Sequence, residues 1–144
     1  MNTPKEYWNN EYRKQRIEKP VYDLWLAKYK DILGKAKDTH IIDLGCGQGN
    51  NSLYLTERGY KVLACDISEI AIERLKKQIS GAETRVFDML DGLPFETNRA
   101  EIVIADLCLH YFAWTETLGI VQEIKRILVD GGNLLLRVNS THTN

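Results

Sequence analysis

Cysteine is scarce. The 144 residues hold three, at positions 46, 65 and 108, and no two form a Cys-x-x-Cys pair. That pattern excludes a disulfide scaffold and a paired redox motif, and it implies free thiols in a reducing cytoplasm. Histidine is equally sparse. His40, His110 and His142 lie far apart, without the spacing of a zinc site, so no metal is expected. There is no surplus of one charge: the net charge is −1 with no basic block. This argues against nucleic acid or an anionic membrane as the main partner. No apolar run approaches the roughly 20 residues of a membrane span. The polar start from Met1 to Glu6 is unlike a signal peptide, and a cytoplasmic location is expected.

What is present is the composition of one ordinary folded domain, 44% hydrophobic and 27% charged, long enough to bury a core. It is organised around Thr39–Gly49. A short apolar run with one acid, Asp43, leads into Gly45, Gly47 and Gly49, and a helical pattern follows at once. This reads as strand, loop, helix. Glycine lets a ligand lie against bare backbone, and the helix start behind it offers free N–H groups. A P-loop would end in Gly-Lys-Ser/Thr, but Asn50 and Asn51 follow Gly49. A dinucleotide site would place its third glycine at position 50, one residue later than here. Asp43 would also repel a pyrophosphate. A carboxylate there better suits a ligand with a cationic amine, such as S-adenosylmethionine.

The rest of the chain alternates. Residues 1–37 are expected to be an N-terminal helical segment, although its first part, 1–19, with Tyr7, Trp8 and Tyr12, reads as either a short helix or a flexible arm. Its amphipathic part starts at Pro20, carries Val21, Leu24, Trp25, Tyr29, Ile32 and Leu33, and stops at Gly34. Strands are predicted at 40–44, 61–65, 84–87, 101–105 and 133–138. Helices are predicted at 50–58, from Ser68 through Ile79, and at 115–129. The last helix turns Leu118, Val121, Ile124, Ile127 and Leu128 inward and ends at Gly131-Gly132. Such alternation gives a parallel sheet with helices on both faces. Four apolar runs carry an acid near their end: Asp43, Asp66, Asp88 and Asp106, spaced by 23, 22 and 18 residues. Ligands bind outside the carboxyl ends of such strands, so these acids mark one edge of the sheet as the site.

The Asp43-Leu-Gly-Cys-Gly-Gln-Gly49 loop, with Asp66 and Asp88 in phase behind it, resembles the class I S-adenosylmethionine-dependent methyltransferases. Within that family it looks most like the small-molecule branch of quinone-type and tellurite-resistance-type enzymes. The resemblance spans about residues 38–138. It implies a single domain, 1–144, with an N-terminal lid (1–37) and a Rossmann-like doubly wound core (38–139) whose five parallel strands run 3-2-1-4-5. It implies S-adenosylmethionine as cofactor. Gly45, Gly47 and Gly49 would cradle the methionine and ribose, with Cys46 as a small filler inside the loop. Asp43 would hold the ammonium, directly or through water, and Asp66 the ribose hydroxyls. Ile67 would flank the adenine, Asp88 would accept from its amino group, Met89 would pack on the ring, and Leu107 would contact the ligand through its backbone.

After the fourth predicted strand comes Asp106-Leu-Cys-Leu-His-Tyr-Phe112, where this family places acceptor-facing groups. His110 is the first candidate base, against a role as a hydrogen-bonded structural residue, and Tyr111 is the second candidate. Trp8, Tyr7 and Tyr12 are read either as a lid whose ring faces attract the sulfonium or as simple packing. The sequence departs from the family pattern at Ala100-Glu101, usually Phe-Asp, and at Leu128-Val-Asp-Gly-Gly132, usually Leu-Lys-Pro-Gly-Gly. The family sheet has seven strands, 3-2-1-4-5-7-6, and the closing hairpin is missing here. Leu134, Leu135, Leu136 and Val138 are then expected on an open edge, covered by a second copy in a homodimer or belonging to a truncated chain. The leading expectation is methyl transfer to a small-molecule acceptor. A binding module without turnover and an NAD-type oxidoreductase are the alternatives.

Overall fold

A computed structural model describes residues 3–36 and 38–138. The expected domain boundaries at 37 and 139, and His142, lie outside the described residues. Helix α1 (Pro4–Lys14) starts at Thr3, whose Oγ1 accepts the Glu6 N–H at 3.1 Å, with proline in its first turn, as suits a helix start. It buries none of its residues. The helix expected from Pro20 onward does not form as one piece. The chain is irregular to Asp23, makes a 3₁₀ turn over Trp25–Tyr29, a short α2 (Lys30–Leu33) and a further turn over Gly34–Ala36. The Asp23 carboxylate takes the Trp25 N–H at 3.2 Å, a local bond that competes with helix. Val21 and Leu24 consequently stay exposed while Leu26 and Leu33 are buried.

From there strands and helices alternate: β1 (Ile41–Leu44), α3 (Asn50–Glu57), β2 (Val62–Asp66), α4 (Glu69–Gln78), β3 (Glu83–Val86), β4 (Ala100–Asp106), α5 (Trp114–Ile127) and β5 (Leu128–Arg137). The sheet order is β3-β2-β1-β4-β5, every pairing is parallel, and the expected topology is the observed one. Alternation along β1 sends Ile41 and Ile42 to opposite faces. Ile42 joins Leu44, Leu63, Val103 and the α5 residues Ile120, Ile124 and Ile127. Ile41 joins Leu26, Leu33, Leu55, Ile102 and Ile104 on the other face. The sheet is therefore covered by helix on both sides, as a doubly wound fold requires.

Two sequence expectations need correction here. The inward stripe of α5 is Ile120, Ile124 and Ile127, whereas Leu118 and Val121 are exposed. Apolar residues stand on more than one stripe of this helix, and contact with the sheet selects the one spaced four and three apart. The Gly131-Gly132 pair does not end α5 either. The N–H groups of Asn98 and Arg99 donate to the carbonyls of Arg126 and Ile127 at 3.0 and 2.7 Å, pulling the helix end onto the entry of β4. The strand then starts at Leu128, and the glycines fall inside it where the register shifts between Ala100 and Ile102. Of the residues expected on an open edge, Leu135 is buried and Leu134 packs against the core, because alternate side chains of β5 turn to the two helix-covered faces, whereas Leu136 and, just past the strand, Val138 are exposed.

Candidate functional site

The carboxyl ends of β1, β2 and β4, with the loops that follow β3 and β4, surround a cavity of about 390 Å³. Its floor begins with the glycine loop. The Cys46 N–H donates to the Cys65 carbonyl at 2.9 Å, which carries the β1–β2 pairing one residue into the loop. Gly45 has φ +64°, and a Cβ there would lie 2.8 Å from the Cys108 Cβ. Gly49 has φ +105°, and a Cβ there would lie 2.9 Å from the Leu75 side chain. Both positions demand glycine for backbone shape and for space. The loop is thus gripped between the chain leaving β4 and helix α4.

Each of the four in-phase acids has a distinct environment. Asp66 is buried at the end of β2. Its two oxygens accept the Gly47 and Ser68 N–H groups, both at 2.9 Å. Burial raises its pKa, and those backbone donors oppose the rise. Asp88 accepts the Leu90 N–H at 2.9 Å and starts the turn that carries Met89. Asp106 closes β4 and is held by the Arg137 guanidinium through two bonds, of 2.7 and 2.8 Å, and by the Asn51 amide at 2.9 Å. Asp43 is 1% exposed and accepts the Ser52 hydroxyl at 2.8 Å. Burial pushes its pKa up to about 7. Asp66, Asp88 and Asp106 line the cavity; Asp43 lies behind it.

Helix α1 forms one wall through Pro4, Trp8 and Tyr12. The Trp8 ring meets Tyr111 edge-on at 4.9 Å between centroids. Polar ties fix the helix in place. The Ser68 hydroxyl donates to the Asn9 side chain at 2.5 Å, Lys5 pairs with Glu69, and Arg74 donates to the carbonyls of Tyr12 and Gln15 and to Gln48. Burial, with Asp66 nearby, raises the pKa of the Tyr12 hydroxyl. Burial likewise pushes the Cys108 thiol up to about 12 and raises that of Cys65. These two thiols line the cavity but stay protonated at neutral pH.

Of the residues singled out from sequence, Gly45, Asp66, Ile67, Asp88, Met89, Leu107 and Tyr111 line the cavity. Asp43, Cys46, Gly47, Gly49 and His110 do not, although Gly47 reaches it through its bond to Asp66. Leu107 adopts φ +54°, a conformation uncommon outside glycine that collects at functional sites. His110 packs on Tyr111 at 4.2 Å between ring centroids. Sequence reasoning did not single out Asn51, Ser52, Arg74, Arg137 or Glu116. Asp106 carried a signal, being in phase with the other acids. Arg137 carried none, since its role follows from the pairing of β5 with β4.

A doubly wound parallel sheet, a glycine loop after its first strand and carboxylates on the next strands define a nucleoside-cofactor-binding domain. Comparisons with known proteins narrow this. A family profile described as a methyltransferase domain matches residues 41–132. The uncharacterized methyltransferase YodH of Bacillus subtilis (strain 168) is 33% identical over 116 residues, covering 76% of this chain and 48% of its own. The demethylmenaquinone methyltransferase of Lactococcus lactis subsp. lactis is 30% identical, with 79% and 47% covered. A TehB-like S-adenosylmethionine-dependent methyltransferase from Corynebacterium glutamicum superposes with a TM-score of 0.62 at 27% identity, over 77% of this chain and 65% of that one. The chain spans about half the length of the curated relatives it matches. It belongs to the class I S-adenosylmethionine-dependent methyltransferase family. No described helix is long and apolar enough to cross a membrane.

Proposed function

We propose that this chain holds S-adenosylmethionine along the cavity and serves methyl transfer to a small-molecule acceptor. The observation that carries the reading is the sequence of groups along the cavity in sheet order: Asp88 after β3, Asp66 at β2, Gly45 after β1 and Asp106 at β4. The donor set fits the cofactor. Asp66, already oriented by two backbone N–H groups, would accept from the ribose hydroxyls, since an ionised carboxylate has about four acceptor sites. Asp88 would accept from the adenine amino group, with Ile67 and Met89 against the ring. Trp8 and Tyr12 would present ring faces to the sulfonium. Gly45 would lie beneath the methionine, with Cys46, Gly47 and Gly49 shaping the loop behind it, and Leu107 would meet the ligand through its backbone.

When bound, the cofactor supplies a methyl group on a good, neutral leaving group. The protein's share is then to orient the acceptor and exclude water, an effect that supplies roughly 7–11 kcal/mol in favourable cases. Tyr111, in the wall, is better placed than His110 to meet an acceptor. Cys65 and Cys108, held protonated, are not nucleophiles.

Among the described residues β5 is an edge strand, with Leu136 on it exposed, and this favours a second reading, a cofactor-binding module that lacks turnover until that edge is covered. A symmetric dimer through that edge is our proposal for the cover, and a monodisperse monomer in light scattering would remove it. Calorimetry with S-adenosylhomocysteine tests the cofactor reading. Asp66→Ala is expected to abolish binding, and unchanged affinity would refute the ribose assignment. Release of S-adenosylhomocysteine with a panel of acceptors separates enzyme from binding module.

A further inference from the structure

The four acids at the strand ends are not equivalent, and one has a role that the loop pattern does not indicate. Successive strands lie about 4.8 Å apart, so a ligand running from Asp88 to the β4 side crosses three spacings, about 14 Å. Leu44 of β1 is in register with Ala105 of β4. Asp106 is therefore level with Gly45, where the methionine end of the cofactor would lie. Asp43 is two residues further back, 1% exposed and engaged by Ser52.

Asp106 is built to present a fixed carboxylate. Oδ1 takes the Arg137 Nε, and Oδ2 takes a second guanidinium nitrogen and the Asn51 amide. Arg137 is itself clamped, with Asp23 at 2.8 Å and the Trp25 ring under its guanidinium at 4.4 Å. The Trp25 indole N–H donates to Asn51 at 3.0 Å and closes the ring of contacts. Three donors on a carboxylate with about four acceptor sites leave one, and Asp106 lines the cavity.

We infer that Asp106, held in place by Arg137 and Asn51, is the carboxylate that receives the ammonium of the cofactor's methionine moiety. Arg137 and Asn51 are positioning residues, and Asp43 supports the loop from behind. The inference rests on the cofactor reading above. It explains why a cavity acid is pinned by an arginine: two guanidinium bonds fix the carboxylate's direction. It also gives the carbonyl of Arg137, which accepts the Leu107 N–H at 2.8 Å, a part in setting the φ +54° turn beside that ammonium.

The test compares two probes by calorimetry: S-adenosylhomocysteine, and 5′-methylthioadenosine, which keeps adenine, ribose and thioether but has no amino-acid tail. In Asp106→Asn, affinity for the first is expected to fall about tenfold or more, the scale of a charged hydrogen bond, while affinity for the second stays within about twofold. An equal fall for both probes, or no change in either, overturns the inference. Should the variant not fold, carbon-13 resonances of the aspartate carboxyls in the unaltered chain decide. The Asp106 carboxyl is expected to shift with S-adenosylhomocysteine and not with methylthioadenosine; an equal response to both, or a response at Asp43 instead, overturns it. If the unaltered chain binds neither probe, the cofactor reading itself falls. If it binds both but Asp106 does not discriminate, this inference alone falls.

Discussion

The backbone N–H of Gly47 donates to the carboxylate of Asp66 at 2.9 Å, which joins the glycine loop after β1 to the end of β2. The other oxygen of Asp66 takes the Ser68 N–H, and Ser68 in turn caps α4 by accepting the Ala71 N–H at 3.1 Å. One carboxylate thus ties loop, strand and helix together at the cavity. The loop's shape and the acid's direction are set jointly, and damage to either is expected to reach ligand binding.

Gly45→Ala is expected to be costly on two counts. It forces a side chain onto φ +64° and sets a Cβ 2.8 Å from the Cys108 Cβ. Backbone strain and overpacking each cost of order 1–3 kcal/mol, so chemical denaturation is expected to show a loss of about 2 kcal/mol or more. Adding Cys108→Gly removes the clash but not the strain, so the double variant is expected to recover part of the loss and not all of it.

Asp43 gives a stability prediction with a defined sign. Burial raises its folded-state pKa to about 7, above the ordinary carboxylate value of about 3.9. The folded state therefore holds this proton over a range in which the unfolded state has released it. Stability from this group is full below about pH 4, declines as pH rises, and is lost above about pH 7. Thermal melts of Asp43→Asn are expected to show a flatter decline between pH 5 and 8 than the unaltered chain. Some slope persists, because burial raises Asp66 in the same direction. An unchanged slope would place Asp43 in a wetter setting than the one described.

Helix α1 buries no residue, yet Trp8 lines the cavity. Trp8→Ala is therefore expected to separate binding from stability. The melting temperature should hardly move, while affinity for S-adenosylmethionine falls about tenfold, within the range of a ring–cation contact. A large drop in melting temperature with unchanged affinity would make the N-terminal helix packing and not a lid.

Much of this was legible in the sequence. Glycine at every second position and acids one βα unit apart are local signals, and they located the loop and the edge that forms the cavity; the strand order came only with the family resemblance those residues carry. What was not legible depends on pairing between distant segments. Asp43 looked ligand-facing in the sequence, but Ser52 takes its carboxylate inside the fold. Arg137 is unremarkable in sequence, and its importance arises because β5 brings it opposite Asp106. The amphipathic pattern from Pro20 overstated helix because Asp23 diverts the Trp25 N–H. The double glycine after α5 resembled a helix stop, while the actual end is set by backbone bonds from Asn98 and Arg99.

The central claim is that the glycine loop and its acids hold S-adenosylmethionine and not a nicotinamide dinucleotide. Calorimetric titration of the full chain with S-adenosylhomocysteine and, separately, with NADH tests it most directly. Saturable binding of S-adenosylhomocysteine with no heat from NADH is predicted. Binding of NADH without S-adenosylhomocysteine would contradict the account.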